Sequence, residues 1–148
     1  MRQEEFNQLI GYRLKEVQSL LRSRMEETLR PLGITVAQYV CLEILKSTPG
    51  ASNAELARQA FVTRQTMNTL LRGLQERGLI ERATHATKGR ALPTMLTPQG
   101  EQMLAQATGR IREIEQHMVG GLSDAKRQEL WDLLTICIEG LHAGGSKT

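Results

Sequence analysis

Apolar residues recur at three- and four-residue steps through most of this chain, the period of helices with one buried side. Phe6, Leu9, Ile10, Leu14, Val17, Leu21 and Leu29 follow it, so residues from about 4 to 30 read as one long amphipathic helix. Pro31 and Gly33 in "RPLGIT" stop that helix. Thr35 opens a second one, with Gln38 completing a T-x-x-Q capping box and Val36, Tyr39, Val40, Leu42 and Leu45 as apolar positions. It closes near Ser47. Ser52 and Glu55 form another box, S-x-x-E, before a short helix to about Gln59 whose apolar side is Leu56, Ala57 and Ala60. Thr63 caps a fourth helix that runs to about Arg77 and is ended by Gly78.

The pattern then shortens. "LIERATH" and "RALPTMLT" read as two strands about the turn "ATKG". Pro93 has no N–H to donate, which puts its strand at an edge or makes it irregular. Thr97-Pro98 starts a further helix, with Pro at the first helical position and a stripe of Met103, Leu104, Ala107, Ile111, Ile114 and Met118. Gly120 and Gly121 break it. Ser123 caps the last helix, with Leu130, Leu133, Leu134, Cys137 and Leu141 expected inside, and "AGGSKT" reads as a frayed tail. The expectation is a mostly α chain of six helices and a two-stranded hairpin. Its middle, residues 35–97, is a winged helix-turn-helix. That middle unit can bury only part of the outer stripes, so a second copy of the chain is expected over the rest.

The helix after Thr63 has two contrasting sides. At about 100° per residue, Met67, Leu70, Leu71 and Leu74 share one side. Gln65, Asn68, Thr69 and Arg72 share the other, also at helical spacing. The first stripe docks the helix. The second presents amide, hydroxyl and guanidinium groups in a row, with Arg64 beside it at the helix start. Asn or Gln can bond adenine through two atoms, Arg can do the same to guanine, and Thr can touch a thymine methyl. A plain solvated face would carry Glu and Lys, and none appears here until Glu76.

Charge strengthens this reading. The chain carries +3 overall. From Gly50 to Thr97 there are seven basic residues (Arg58, Arg64, Arg72, Arg77, Arg82, Lys88 and Arg90) against Glu55, Glu76 and Glu81. All the excess positive charge therefore sits in the middle third, as a polyanion-binding module requires. Lys88 and Arg90 fall at the hairpin tip, where a wing reaches the minor groove.

Other chemistry is scarce. The 148 residues suit one domain with an oligomerisation extension, and with 3% aromatics the core must be aliphatic. No run approaches the roughly 18 apolar residues of a membrane span. The start, "MRQEEFNQLIGYR", lacks the apolar centre of a signal peptide, so a cytoplasmic protein is expected. Cys41 and Cys137 form no CxxC and are expected to be reduced, buried and inert. His85, His117 and His142 have no neighbour at metal-ligand spacing, and neither a metal nor a cofactor is expected. There is no nucleophile elbow, phosphate loop or H-E-x-x-H, so an enzyme is not expected.

Taken together, "PLGITVAQYVCLEIL", "SNAELARQAFVTRQTMNTLLRGLQERGLIER" and "GRALPTMLTPQG", in this order, resemble the MarR family of bacterial transcription factors over nearly the whole chain. The resemblance implies a homodimer interlocked through its terminal helices, here 4–30 and 98–143. It implies a repressor on a pseudo-palindromic operator, with the fourth helix in the major groove and the wing in the minor groove. Carried over, Arg64, Gln65, Thr66, Asn68, Thr69 and Arg72 form the reading helix, Ser52 and Thr63 contact phosphate, and Arg90 is the wing arginine. Lys88 stands where the family usually has an Asp that braces that arginine. Phe61 stands in a turn that often carries Gly, either plugging the core or remaining exposed. The family often responds to small aromatic or phenolic ligands, and Tyr12, Arg13 and Tyr39 are the candidate cleft residues. The alternative is a winged helix that binds protein instead of DNA, since fold does not fix function.

Overall fold

The protein is described by a computed structural model covering residues 1–82 and 93–145. Its elements are α1 (Gln3–Asn7), α2 (Ile10–Leu29), a 3-10 turn (Arg30–Leu32), α3 (Val36–Ser47), α4 (Asn53–Gln59), α5 (Arg64–Glu76), β1 (Ile80–Arg82), β2 (Thr94–Leu96), α6 (Pro98–Val119) and α7 (Asp124–Gly145). They divide into two compact units, Met1–Arg112 and Glu113–Thr148. No helix among the described residues is long and apolar enough to cross a membrane.

The first unit has an aliphatic core. Leu42 and Leu45 of α3, Leu56 of α4, Met67, Leu71 and Leu74 of α5, Ile80 of β1 and Leu104 of α6 are all sealed from solvent. Each is at a position that the periodic pattern marks as apolar. Caps fix the helix starts. Thr35 and Gln38 form the expected reciprocal box on α3. Thr97 Oγ1 accepts the Gly100 N–H at 3.1 Å and donates to the Gly78 carbonyl at 2.6 Å, tying the start of α6 to the end of α5. Gly100 must be glycine for a steric reason, because a Cβ there would lie 2.0 Å from the Leu79 carbonyl oxygen.

β1 and β2 pair antiparallel, with Ile80 opposite Leu96, Glu81 opposite Met95 and Arg82 opposite Thr94. β2 begins immediately after Pro93, as a residue without an N–H requires. The hairpin tip, with Lys88 and Arg90, lies outside the described residues.

Four expectations are corrected. The first helix is two, because Leu9 adopts an extended backbone (φ −64°, ψ 132°) between α1 and α2. Asn7 and Gly11, both poor helix formers, flank the break, and the Phe6 and Tyr12 rings pack across it with centroids 4.7 Å apart. This makes seven helices among the described residues. The S-x-x-E box is only half formed: Ser52 Oγ accepts the Glu55 N–H, but the Glu55 carboxylate takes the serine hydroxyl proton, not the backbone N–H. α7 also continues through Gly145, past the start of the expected tail. With no proline, its last N–H groups still find carbonyls one turn back.

The stripe expected inside α7 is not buried. Leu130, Leu133, Cys137 and Leu141 are exposed and Leu134 is only half-covered. The second unit consists of the end of α6 and α7, too few layers to enclose a core. Cys137 is therefore not the buried thiol expected of it. Cys41 is: it lies in the first core, its Sγ 3.6 Å from Met67 Sδ, and burial pushes its pKa up to about 11.

Candidate nucleic-acid interface

α5 carries the contrast that its sequence predicts. Met67, Leu71 and Leu74 are fully buried, and Gln65, Asn68, Thr69 and Arg72 are exposed. The helix is rigidly framed at both ends. At its start, Thr63 Oγ1 accepts the Thr66 N–H at 3.0 Å. At its end, Leu79 N–H reaches the Leu74 carbonyl at 3.0 Å and Gly78 N–H the Gln75 carbonyl at 3.0 Å. That pair of bonds is a Schellman motif, and Gly78 supplies its left-handed residue (φ 72°).

The turn into α5 is built the same way with an unusual residue. Val62 N–H bonds the Ala57 carbonyl and Phe61 N–H the Arg58 carbonyl, again a Schellman pair. The left-handed position falls on Phe61 (φ 59°), the one non-glycine residue with positive φ among those described. Its ring is 95% exposed, so of the two outcomes open for Phe61, exposure is the one realised. A Cβ in that backbone region costs about 1–2 kcal/mol, which a glycine would avoid.

The outward row is not uniformly free. Gln65 and Arg72 have no side-chain hydrogen bond among the described residues. Thr69 donates its hydroxyl to the Gln65 carbonyl at 3.2 Å, leaving its methyl and its oxygen lone pairs for a partner. Asn68 Oδ1 accepts from Asn53 Nδ2 at the start of α4. Asn53 carries no signal in the sequence, because its partner lies fifteen positions away on another helix.

The two hydroxyls expected on phosphate are occupied. Thr63 Oγ1 donates to Thr66 Oγ1 at 3.0 Å, and Ser52 Oγ donates to Glu55 at 3.0 Å. The open donors at this end of α5 are instead the first backbone N–H groups and the exposed Arg64 side chain. Not every arginine of the basic segment is free either. Arg77 Nη1 donates to the Gly33 carbonyl, and Arg82 Nε donates to the buried Thr94 Oγ1 at 3.3 Å.

The three candidate cleft residues each have a separate partner. Tyr12 packs its ring against Phe6 at a tilt of 53°, and Arg13 pairs with Glu16 at 2.8 Å on the exposed side of α2. Tyr39 is buried in α3 and donates to Glu43 Oε1 at 2.8 Å. Thr108 of α6 donates to the same oxygen at 2.7 Å. Burial, then the Glu43 hydrogen bond and charge, push the Tyr39 pKa up to about 12. None of these contacts joins the three residues to one another.

Comparison with known proteins gives the family and the fold. A sequence profile described as "MarR family" matches residues 32–91. The HTH-type transcriptional repressor Rv2887 of Mycobacterium tuberculosis is 38% identical over 125 residues, 84% of this chain and 90% of that protein. The crystal structure of Rv2887 with salicylic acid superposes with a TM-score of 0.69 at 36% identity, covering 87% of this chain and 96% of that one. The transcriptional repressor CouR bound to a 23-mer DNA duplex superposes with a TM-score of 0.82 at 27% identity, covering 93% and 98%.

Proposed function

Because the chain belongs to the MarR family, we propose that it is a sequence-specific DNA-binding repressor, acting as a homodimer on a pseudo-palindromic operator and released or retained by a small aromatic effector. The observation that carries the reading is the outward row of α5, with Gln65, Asn68, Thr69 and Arg72 exposed over a buried Met67, Leu71 and Leu74. The relatives support repression, DNA binding and the effector class: CouR is a repressor with a DNA complex, and Rv2887 is a repressor that takes salicylic acid. We assign the chain no catalytic step.

In this account α5 enters the major groove. Gln65, Asn68, Thr69 and Arg72 face base edges, and Thr66 and Arg64 lie at the groove entrance. The free N–H groups at the start of α5 take a phosphate, with Thr63 and Ser52 acting first as caps. Lys88 and Arg90 belong to the wing. The lobe of residues 35–97 reads, and helices 4–30 and 98–143 pair two copies. The structure does not bring Tyr12, Arg13 and Tyr39 into contact with one another, so the aromatic-acid class is proposed without a seat.

Operator binding across a panel of single-base variants tests the assignment. Gln65→Ala or Arg72→Ala should lose about 1–3 kcal/mol of discrimination at one or two base pairs and little elsewhere. Binding should also fall steeply with salt, as released counterions require. Equal losses on every sequence would remove the base-reading role. Failure to bind any duplex at low salt would favour the winged helix as a protein-binding module.

A further inference from the structure

The fold itself has no use for the Phe61 side chain. The ring is 95% exposed and belongs neither to the core cluster nor to an aromatic pair. A solvated ring adds nothing to a hydrophobic core. Its backbone sits at φ 59°, in the left-handed region that disfavours any residue with a Cβ. The turn between α4 and α5 is therefore strained on behalf of a side chain that packs on nothing. Strain of this kind collects where a partner binds. The surroundings indicate which partner. Arg58 and Gln59 before the turn, and Thr63, Arg64, Gln65 and Thr66 after it, are all exposed. Neither arginine has an ion pair among the described residues, and no acidic residue falls between Glu55 and Glu76. An apolar ring set between two open cations fits a surface that is anionic and apolar at once. The sugar–phosphate edge of a duplex is such a surface, with deoxyribose carbons between its phosphates. Phe61 also lies close to the open phosphate donors at the start of α5. Three residues separate it from Arg64, a span of at most about 11 Å.

We propose that Phe61 is a DNA-binding residue: its ring lies against deoxyribose at the edge of the groove that α5 enters, and anchors each half-site without reading a base. The proposal rests on α5 as the reading helix and adds to it a contact of different chemistry. An apolar contact releases no counterions, and the sugar is the same in every nucleotide. Losing the ring should therefore lower affinity evenly over all sequences and leave the salt dependence unchanged. A side chain that reads a base fails the first condition, and one that binds phosphate fails the second. The contact also sets stability against binding at a single position, because the residue that best suits the turn is the one that abandons the duplex.

The experiment selects an operator from random duplexes with the wild-type protein. Affinity for that operator and its single-base variants is then measured at several salt concentrations for wild type, Phe61→Gly, Phe61→Asn and Phe61→Tyr, with thermal melting in parallel. Gly and Asn both accept the left-handed turn and remove the ring, whereas Tyr keeps the ring and the strain. Phe61→Gly and Phe61→Asn should melt no lower than wild type. They should nevertheless bind more weakly, by about fivefold for each half-site and so about 25-fold for a dimer. Their base preferences and salt slope should match wild type, and Phe61→Tyr should bind within about twofold of it. A merely structural Phe61 predicts the reverse, since the better-folded variants would then bind at least as tightly. Wild-type affinity in the Gly and Asn variants would overturn the proposal, leave the reading helix standing and favour a protein partner for the ring. A loss confined to particular bases, a shallower salt slope, or an equal loss in Phe61→Tyr would also overturn it. A wild-type protein that selects no duplex would overturn the reading helix itself.

Discussion

α5 and α7 are both apolar enough to need a neighbour, and they meet that need differently. α5 turns Met67, Leu71 and Leu74 into a core that its own chain completes, and not one of them is accessible. α7 has no buried residue: Trp131 is 70% exposed and Ile136 62%. The difference separates a helix that its own chain fixes, as the proposed reading role needs, from a helix whose apolar side its own chain leaves open. The polar side of α5 can be spent on recognition because the other side already fixes the helix in place. The exposed side of α7 is far more apolar than a monomer surface tolerates, and it continues the theme of Phe6, Leu9, Ile10, Leu14 and Val17 on the exposed side of α1 and α2.

Charging the open helix tests that contrast most strongly. Trp131→Glu combined with Ile136→Glu should leave the reading lobe folded, convert the protein to monomer in sedimentation analysis, and weaken operator binding at least about 100-fold through loss of the second half-site. A double variant that stays dimeric would place the pairing surface elsewhere. Truncating the closed helix has the opposite signature. Leu71→Ala should cost about 2–5 kcal/mol of folding stability in urea titration, whereas Leu133→Ala should appear mainly as easier dissociation of the dimer. The lobe should also be alkali-sensitive. Cys41 is raised from 9.0 to about 11 and Tyr39 from 10.0 to about 12. Both are neutral when protonated, so the folded state keeps protons that the unfolded chain has lost. Their stabilisation is complete below pH 9 and is lost as pH rises through 11 and 12, by about 2–3 kcal/mol for each group in denaturant titrations, and Tyr39→Phe should remove its share of that loss. The smallest effect should be a gain. Phe61→Gly should add about 1 kcal/mol and raise the melting temperature, because the left-handed turn no longer carries a Cβ.

The parts legible in the sequence are those governed by neighbours along the chain. Thr35 with Gln38, Thr63 with Thr66, Gly78 after α5 and the two sides of α5 all act within a turn or two, and each is found where its spacing places it. The break at Leu9 was hidden because Leu9 and Ile10 keep the apolar period across it. The α7 stripe announced that something must cover it without saying whether that was its own chain. Among the site residues, exposure of Gln65 and Arg72 follows from periodicity. The capture of Asn68 by Asn53, and of the Ser52 hydroxyl by Glu55, does not, since a residue type says what can bond and not what it will bond. The basic segment shows the same limit: Arg72 and Arg77 look alike on paper, yet one faces outward with no partner among the described residues and the other is bound to a carbonyl.

That bond from Arg77 to the Gly33 carbonyl works as a tether. It joins the far end of α5 to the corner where the long α2 turns into α3, at a glycine in the left-handed region (φ 76°). α5 cannot roll about its own axis without either dragging that corner along or letting go of it, so the pitch of its outward row is coupled to a peptide more than forty residues upstream.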